Sequence, residues 1–148
     1  MIINWGILTL LQAYEDQGPW SSPYNIIELD EGNKRAYMLV HSPFPVNHSV
    51  HLHGHDFFVL AQGDGVYIPG ITEVNLINPP RRETAMLPAA GYLLLALETD
   101  NAGISLMHYH LGCHTTGGLD LQFVERKREI PKLVGYNLLN ETCAKWNS

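Results

Sequence analysis

The stretch Tyr92-Leu93-Leu94-Leu95-Ala96-Leu97-Glu98-Thr99-Asp100-Asn101-Ala102-Gly103-Ile104-Ser105-Leu106-Met107-His108-Tyr109-His110 sets the terms for the whole chain. Tyr92 to Leu97 and Ile104 to Tyr109 are short runs rich in β-formers, and Asp100-Asn101-Ala102-Gly103 between them is turn chemistry rather than a helical continuation. Outward from it the same rhythm recurs. Tyr24 to Leu29, Arg35 to Val40, Asp56 to Gln62, Thr84 to Leu87 and Leu119 to Val124 are further runs. They are broken by Asp30-Glu31-Gly32-Asn33, Gly63-Asp64-Gly65, Asn78-Pro79-Pro80 and Ala89-Ala90-Gly91. Seven such runs predict an all-β antiparallel sandwich or barrel. No long helix, internal repeat or low-complexity segment is expected, and residues from about Ile130 onward read as a tail of weak regularity.

A chain of 148 residues, 45% hydrophobic, has material for one domain with a proper core and no room for a second. Nine Lys+Arg against 15 Asp+Glu give a formal charge of -6, which argues against a broad nucleic-acid or anionic-membrane surface. The basic residues between Glu125 and Lys132 are interleaved with Glu125 and Glu129, as in a solvated tail. Met1 to Leu11 is apolar but has no basic leader and no small-residue cleavage site, so neither a signal peptide nor a membrane span is expected there. Cys113 and Cys143 are too few to define a disulfide scaffold and leave the redox compartment open.

Seven of the eight histidines fall into two groups: His48, His51, His53 and His55, then His108, His110 and His114. Imidazole suits copper, zinc, iron and nickel. Alternate residues of a strand share a face, so His108 and His110 can project together toward one metal site while Tyr109 points the other way. One strand can thereby serve two sites back to back. A lone histidine on an apolar face would be a core residue more often than a ligand, and His41 reads as an ordinary strand-end residue.

The segment His48-Ser49-Val50-His51-Leu52-His53-Gly54-His55-Asp56-Phe57-Phe58-Val59-Leu60, with Asn78-Pro79-Pro80-Arg81-Arg82-Glu83-Thr84 after it, resembles the third copper-binding motif of fungal laccases and the strands that follow it. His108-Tyr109-His110-Leu111-Gly112-Cys113-His114-Thr115-Thr116-Gly117-Gly118-Leu119 resembles the fourth. The likeness runs from about Asn4 to Ser148 and keeps the order and separation of both motifs. It implies that residues 1–148 are a single domain, the third and C-terminal cupredoxin domain of a laccase-like multicopper oxidase, with an antiparallel Greek-key β-sandwich fold. It further implies copper as cofactor, phenolic substrates, dioxygen as acceptor in the complete enzyme, and an extracellular location. By the same resemblance His48 and His114 match the imidazole ligands of the type 1 copper, and Leu119 its axial, non-coordinating position. His51 matches a type 2 ligand; His53, His108 and His110 match type 3 ligands. His55 lies just past this set and is expected to have a supporting or structural role.

The sequence departs from the family at the middle of the His-Cys-His triplet, where it has Tyr109. A blue copper site needs a soft thiolate beside its two histidines. A phenol is harder, bulkier and has an ordinary pKa of about 10. In the family this thiolate also carries electrons to the oxygen-reducing cluster through its two flanking histidines. The type 1 site is therefore expected to be lost, with Tyr109 either packed or hydrogen-bonded in its place, or bound to copper as a phenolate. Cys113 stands where Trp is usual, Ser105 where an aromatic is common and Ser49 where proline is common. A thiol at Cys113 should emerge at a different point from the strand carrying residues 108 to 110.

The family builds its trinuclear cluster from the first and third domains, and this chain carries the third-domain half. The isolated chain is therefore expected to be inactive, with N-terminal cupredoxin domains or a second copy of itself in a homodimer as partners. A non-catalytic copper- or zinc-binding module, or a structural remnant, is the rival reading. Cys143 matches a family cysteine bonded to the first domain, and Asn140-Glu141-Thr142 and Asn47-His48-Ser49 fit the glycosylation pattern.

Overall fold

Strand alternation decides which way each element faces. In the computed structural model, which describes Trp20, residues 25–110 and residues 120–146, the clearest case is β2 (Arg35–His41). Ala36, Met38 and Val40 turn inward there while Arg35, Tyr37, Leu39 and His41 face solvent. The other strands among the described residues are β1 (Ile26–Leu29), β3 (His48–Leu52), β4 (Phe57–Asp64), β5 (Arg81–Arg82), β6 (Thr84–Leu87), β7 (Gly91–Glu98), β8 (Gly103–Tyr109) and β9 (Asp120–Glu125). They form two sheets, one ordered β1-β9-β8-β3-β6 and the other β2-β7-β4-β5.

This is the all-β sandwich of cupredoxin type that the sequence implies, with one qualification to its antiparallel character. The β1–β9 pair is parallel, Ile26 lying opposite Gln122 and Leu29 opposite Glu125. A parallel neighbour requires a long crossover connection, and here the whole chain between β1 and β9 supplies it.

Between the sheets lie Val50, Leu52, Phe57, Leu87, Leu93, Leu95, Leu97, Met107 and Phe123. β7 is the best-covered strand because it is flanked by β2 and β4, which is why Tyr92 to Leu97 reads as a nearly continuous apolar run rather than an alternating one. Its entry at Gly91 tolerates no side chain: a Cβ there would run into the Gly63 carbonyl and Pro88.

Four elements differ from the sequence expectation. β3 was not among the seven runs, because its buried alternates are His48, Val50 and Leu52, and a histidine in an inward position hides the apolar period. β5 is two arginines held to β4 by pairing with Phe57 and Phe58, a tertiary effect that leaves no local signal. The C-terminal tail contains α1 (Ile130–Leu133) and α2 (Tyr136–Trp146). α2 is built from good helix formers such as Leu138, Glu141, Ala144 and Lys145, and its neighbouring leucines part ways, Leu138 exposed and Leu139 buried. No helix among the described residues is long and apolar enough to cross a membrane.

Candidate metal centre

β3 and β8 are antiparallel neighbours in the register Val50 opposite Tyr109, His51 opposite His108 and Leu52 opposite Met107. Directly opposed residues share a face. Val50, Leu52 and Met107 belong to the core, so Tyr109 turns inward with them and His51 and His108 turn outward together. His110 follows on the outward face, its backbone N–H bonded to the Ser49 carbonyl at 2.8 Å. His53, just past β3, is anchored by its N–H to the Leu106 carbonyl at 2.9 Å.

The outward imidazoles converge. Ligand-capable nitrogens of His51, His53 and His108 all lie within 4.8 Å of one another. His53 Nε2 and His108 Nε2 are 3.0 Å apart, a separation at which they share one proton or present two lone pairs to one cation. Metal–nitrogen distances of about 2.0–2.1 Å accommodate that spacing. His110 stands beside the group, its ring centroid 5.8 Å from that of His51 and 5.7 Å from that of His108.

Backbone acceptors orient two of the rings. His51 Nδ1 lies 2.9 Å from the Glu83 carbonyl, with Thr84 Oγ1 at 3.0 Å, and His108 Nδ1 lies 2.9 Å from the Tyr109 carbonyl. A carbonyl can only accept, so in both rings Nδ1 is the donor, and the tautomer that this selects leaves Nε2 to face a cation, the arrangement typical of metal-binding histidine. Burial, then the charges of His51, His108 and His110, lower the His53 pKa, which favours its neutral, ligating form. The donor set thus fits a borderline cation such as copper or zinc, and His53 and His110 are exposed enough to leave room for further ligands.

The inward face is different. His48 is 3% exposed and its ring lies 4.5 Å from that of Tyr109, tilted by 40°, with Phe44 at 6.5 Å on edge. Tyr109 packs against the core, and burial raises its pKa, so ionisation to a phenolate is costlier there than in water. His114, Leu119 and Cys113 lie outside the described residues. His41 ends β2.

Two groups escaped the reading of the sequence. Glu125, the last residue of β9, bonds His55 through Oε2 at 2.7 Å; the two side chains are 2% and 3% exposed. That bond is the main reason the His55 pKa is raised. Asp120, 3% exposed, stands opposite His108 in the β8–β9 register, and neither carboxylate oxygen has a hydrogen-bond partner among the described residues. Burial pushes its pKa up to about 6, with the His108 charge acting in the opposite sense. In sequence Asp120 is one polar residue inside the run Leu119 to Val124, and Glu125 reads as part of a solvated tail, which its burial at the end of β9 corrects; only the register reveals either one.

Comparison with known proteins shows what the whole chain resembles. A family model described as multicopper oxidase matches residues 5–129. Laccase-1 of Botryotinia fuckeliana is 40% identical over an alignment covering 100% of this chain and 27% of that protein. Laccase-1 of Melanocarpus albomyces is 37% identical, with 99% of this chain and 26% of its own length covered. The crystal structure of the laccase from Botrytis aclada superposes with a TM-score of 0.85 at 34% identity, covering 99% of this chain and 28% of that one. Fet3p, a multicopper oxidase that functions in iron import, shares the fold with a TM-score of 0.75 at 21% identity, over 84% of this chain and 26% of its own. The chain therefore spans about 27% of the length of the first of these relatives.

Proposed function

The chain belongs to the multicopper oxidase family as a laccase-type domain, and from that premise we propose that residues 1–148 are its third, C-terminal cupredoxin domain, supplying half of an oxygen-reducing copper cluster. The convergence of His51, His53 and His108, two of them with Nε2 freed by a backbone acceptor, carries this reading. His51 would serve the type 2 copper, and His53, His108 and His110 the type 3 pair. When bound, copper supplies the one-electron steps that couple oxidation of phenolic substrates to reduction of dioxygen to water. The chain's own part is to hold the imidazoles aimed, on an outward face that domains of a longer protein would cover.

The type 1 position is read as lost. His48, His114 and the Leu119 position would have framed it, but Tyr109 offers a protonated phenol packed against His48 in place of a thiolate. The isolated chain, with half a cluster and no thiolate relay, is therefore proposed to be inactive toward phenols. Secretion and glycosylation, for which Asn140 is an exposed acceptor, belong to the same reading.

Copper stoichiometry together with an electronic spectrum and oxygen uptake tests the proposal. Expected are bound, nearly colourless Cu(II) and no steady oxygen consumption with phenolic donors. Turnover by homogeneous, copper-loaded chain would overturn it.

A second reading, a non-catalytic copper or zinc module, is favoured by the fact that three ligand-capable histidines meet within this one chain. A two-fold dimer pooling two such faces is a further possible assembly, since His53 and His110 are exposed. Sedimentation with and without Cu(II), repeated on His108→Ala/His110→Ala, distinguishes it: copper-dependent association lost in the variant supports the dimer.

A further inference from the structure

His53 is followed by Gly54, whose φ of +74° makes a left-handed turn. A Cβ at Gly54 would lie 2.9 Å from Asn101 Nδ2 and 3.1 Å from Ser105 Oγ, so the turn is pressed against the β7–β8 connection and the start of β8. Three bonds hold the backbone around it. The His53 N–H donates to the Leu106 carbonyl at 2.9 Å, the His53 carbonyl faces His55 Nδ1 at 3.3 Å, and the Gly54 carbonyl accepts from Asn101 Nδ2 at 2.8 Å.

One carboxylate stands behind two of those donors. Glu125 Oε2 is 2.7 Å from His55 Nε2, and Glu125 Oε1 accepts the Asn101 N–H at 2.8 Å. Both His55 nitrogens thus face acceptors, one the carboxylate and the other the carbonyl of His53. The orientation of the His53 carbonyl fixes ψ at His53, and with it the direction in which the ring leaves the backbone.

Resting on the reading of His53 as a copper ligand, we propose that Glu125 is a positioning residue for His53: through His55 and Asn101 it fixes the carbonyls on both sides of the Gly54 turn and so aims the His53 ring at His108. A buried pair that merely stapled the fold would lower stability when broken and leave the His53 ring where it is. A positioning clamp makes a different demand. Breaking its outer, exposed arm should release the ring of His53 and not that of His51, which is held separately by the Glu83 carbonyl.

The test uses the 148-residue chain with 15N-labelled histidine, first free of metal and then titrated with Cu(II). In Asn101→Ala and Glu125→Ala the His53 ring signals should move to those of a mobile, solvated imidazole while the His51 signals stay. Copper affinity should fall by about 10–100-fold, the usual effect of losing a group that supports a ligand. Glu125→Gln should restore both readouts, because its amide oxygen can accept from Asn101 and its N–H can meet His55 Nε2. Should Glu125→Ala fail to fold, Asn101→Ala decides, since it removes only the bond to Gly54. His53 signals unmoved in folded Asn101→Ala, or Glu125→Gln behaving like the alanine variant, would overturn the proposal. A parent chain that takes up no copper would sink the metal reading alone, since the ring spectra recorded without metal still decide the positioning role.

Discussion

The outward and inward faces of the β3–β8 pair use the same residue type to opposite effect. Outward, His51, His53 and His108 gather their nitrogens, with the rings of His51 and His108 oriented by backbone carbonyls. Inward, His48 meets the phenol of Tyr109 over a hydrocarbon floor of Val50 and Met107. Residues 108 and 109 are neighbours in the chain and strangers in space, because a strand sends successive side chains to opposite faces. A substitution at 109 can therefore change the chemistry of one site while the backbone that carries the other stays as it was.

The largest expected effect comes from reversing that substitution. Tyr109→Cys loaded with Cu(II) should gain the intense visible absorption of a copper thiolate, a band expected to be absent from the parent, and should keep it in a Tyr109→Cys/Cys113→Ser background. If the parent already shows the band and Cys113→Ser abolishes it, Cys113 supplies the thiolate and the contrast between the faces collapses.

Next in size is the outward site itself. His51→Ala/His108→Ala should lower Cu(II) affinity by more than about 100-fold, beyond the range typical of supporting groups, in competition with a chelator. His48→Ala should change it little, and an equal loss there would mean that the two faces share one ion.

The third comparison is of stability along a single strand. Leu52 is 1% exposed in the core, and Leu52→Ala should cost about 2–5 kcal/mol in denaturant unfolding. His51→Ala, one residue earlier and outward, should cost only about 1 kcal/mol, the net worth of its hydrogen bonding at Glu83 and Thr84. Equal costs would show that the outward face is as much core as the inward one.

How much of this was legible follows from where each signal lives. The sandwich could be read because runs such as Arg35 to Val40 and Ile104 to Tyr109 bear their own β signal, and the opposition of Tyr109 to His108 follows from alternation alone. The histidine spacing pointed to a metal. What alternation could not give was register. That His51 stands opposite His108, Asp120 opposite the same residue, and Glu125 within reach of His55 depends on pairings between distant segments. β3 escaped for a related reason: its inward histidine makes sense only beside the residue that β8 brings to it.

Asp120 supplies the smallest effect and the finest test of which face a residue belongs to. Its carboxylate is buried without a hydrogen-bond partner among the described residues, and its pKa is pushed up to about 6. The unfolded value is about 3.9, so between roughly pH 4 and 6 the folded state holds the proton that the unfolded state has released. Stability from this group is thus fully present below pH ~4 and is lost as pH rises through about 6, the total being on the order of 2 kcal/mol. Asp120→Asn, which has no charge to desolvate, should match the parent near pH 4 and exceed it near pH 7 in chelator-treated protein. The difference between the two curves isolates Asp120 from the histidines that titrate in both. Because His108 holds the Asp120 pKa down, repeating the pair in a His108→Ala background should move the falling limb to higher pH, whereas a His48→Ala background should leave it in place. A flat difference between pH 4 and 6 would mean that Asp120 is solvated. A limb that moved with His48 rather than His108 would assign its carboxylate to the inward face.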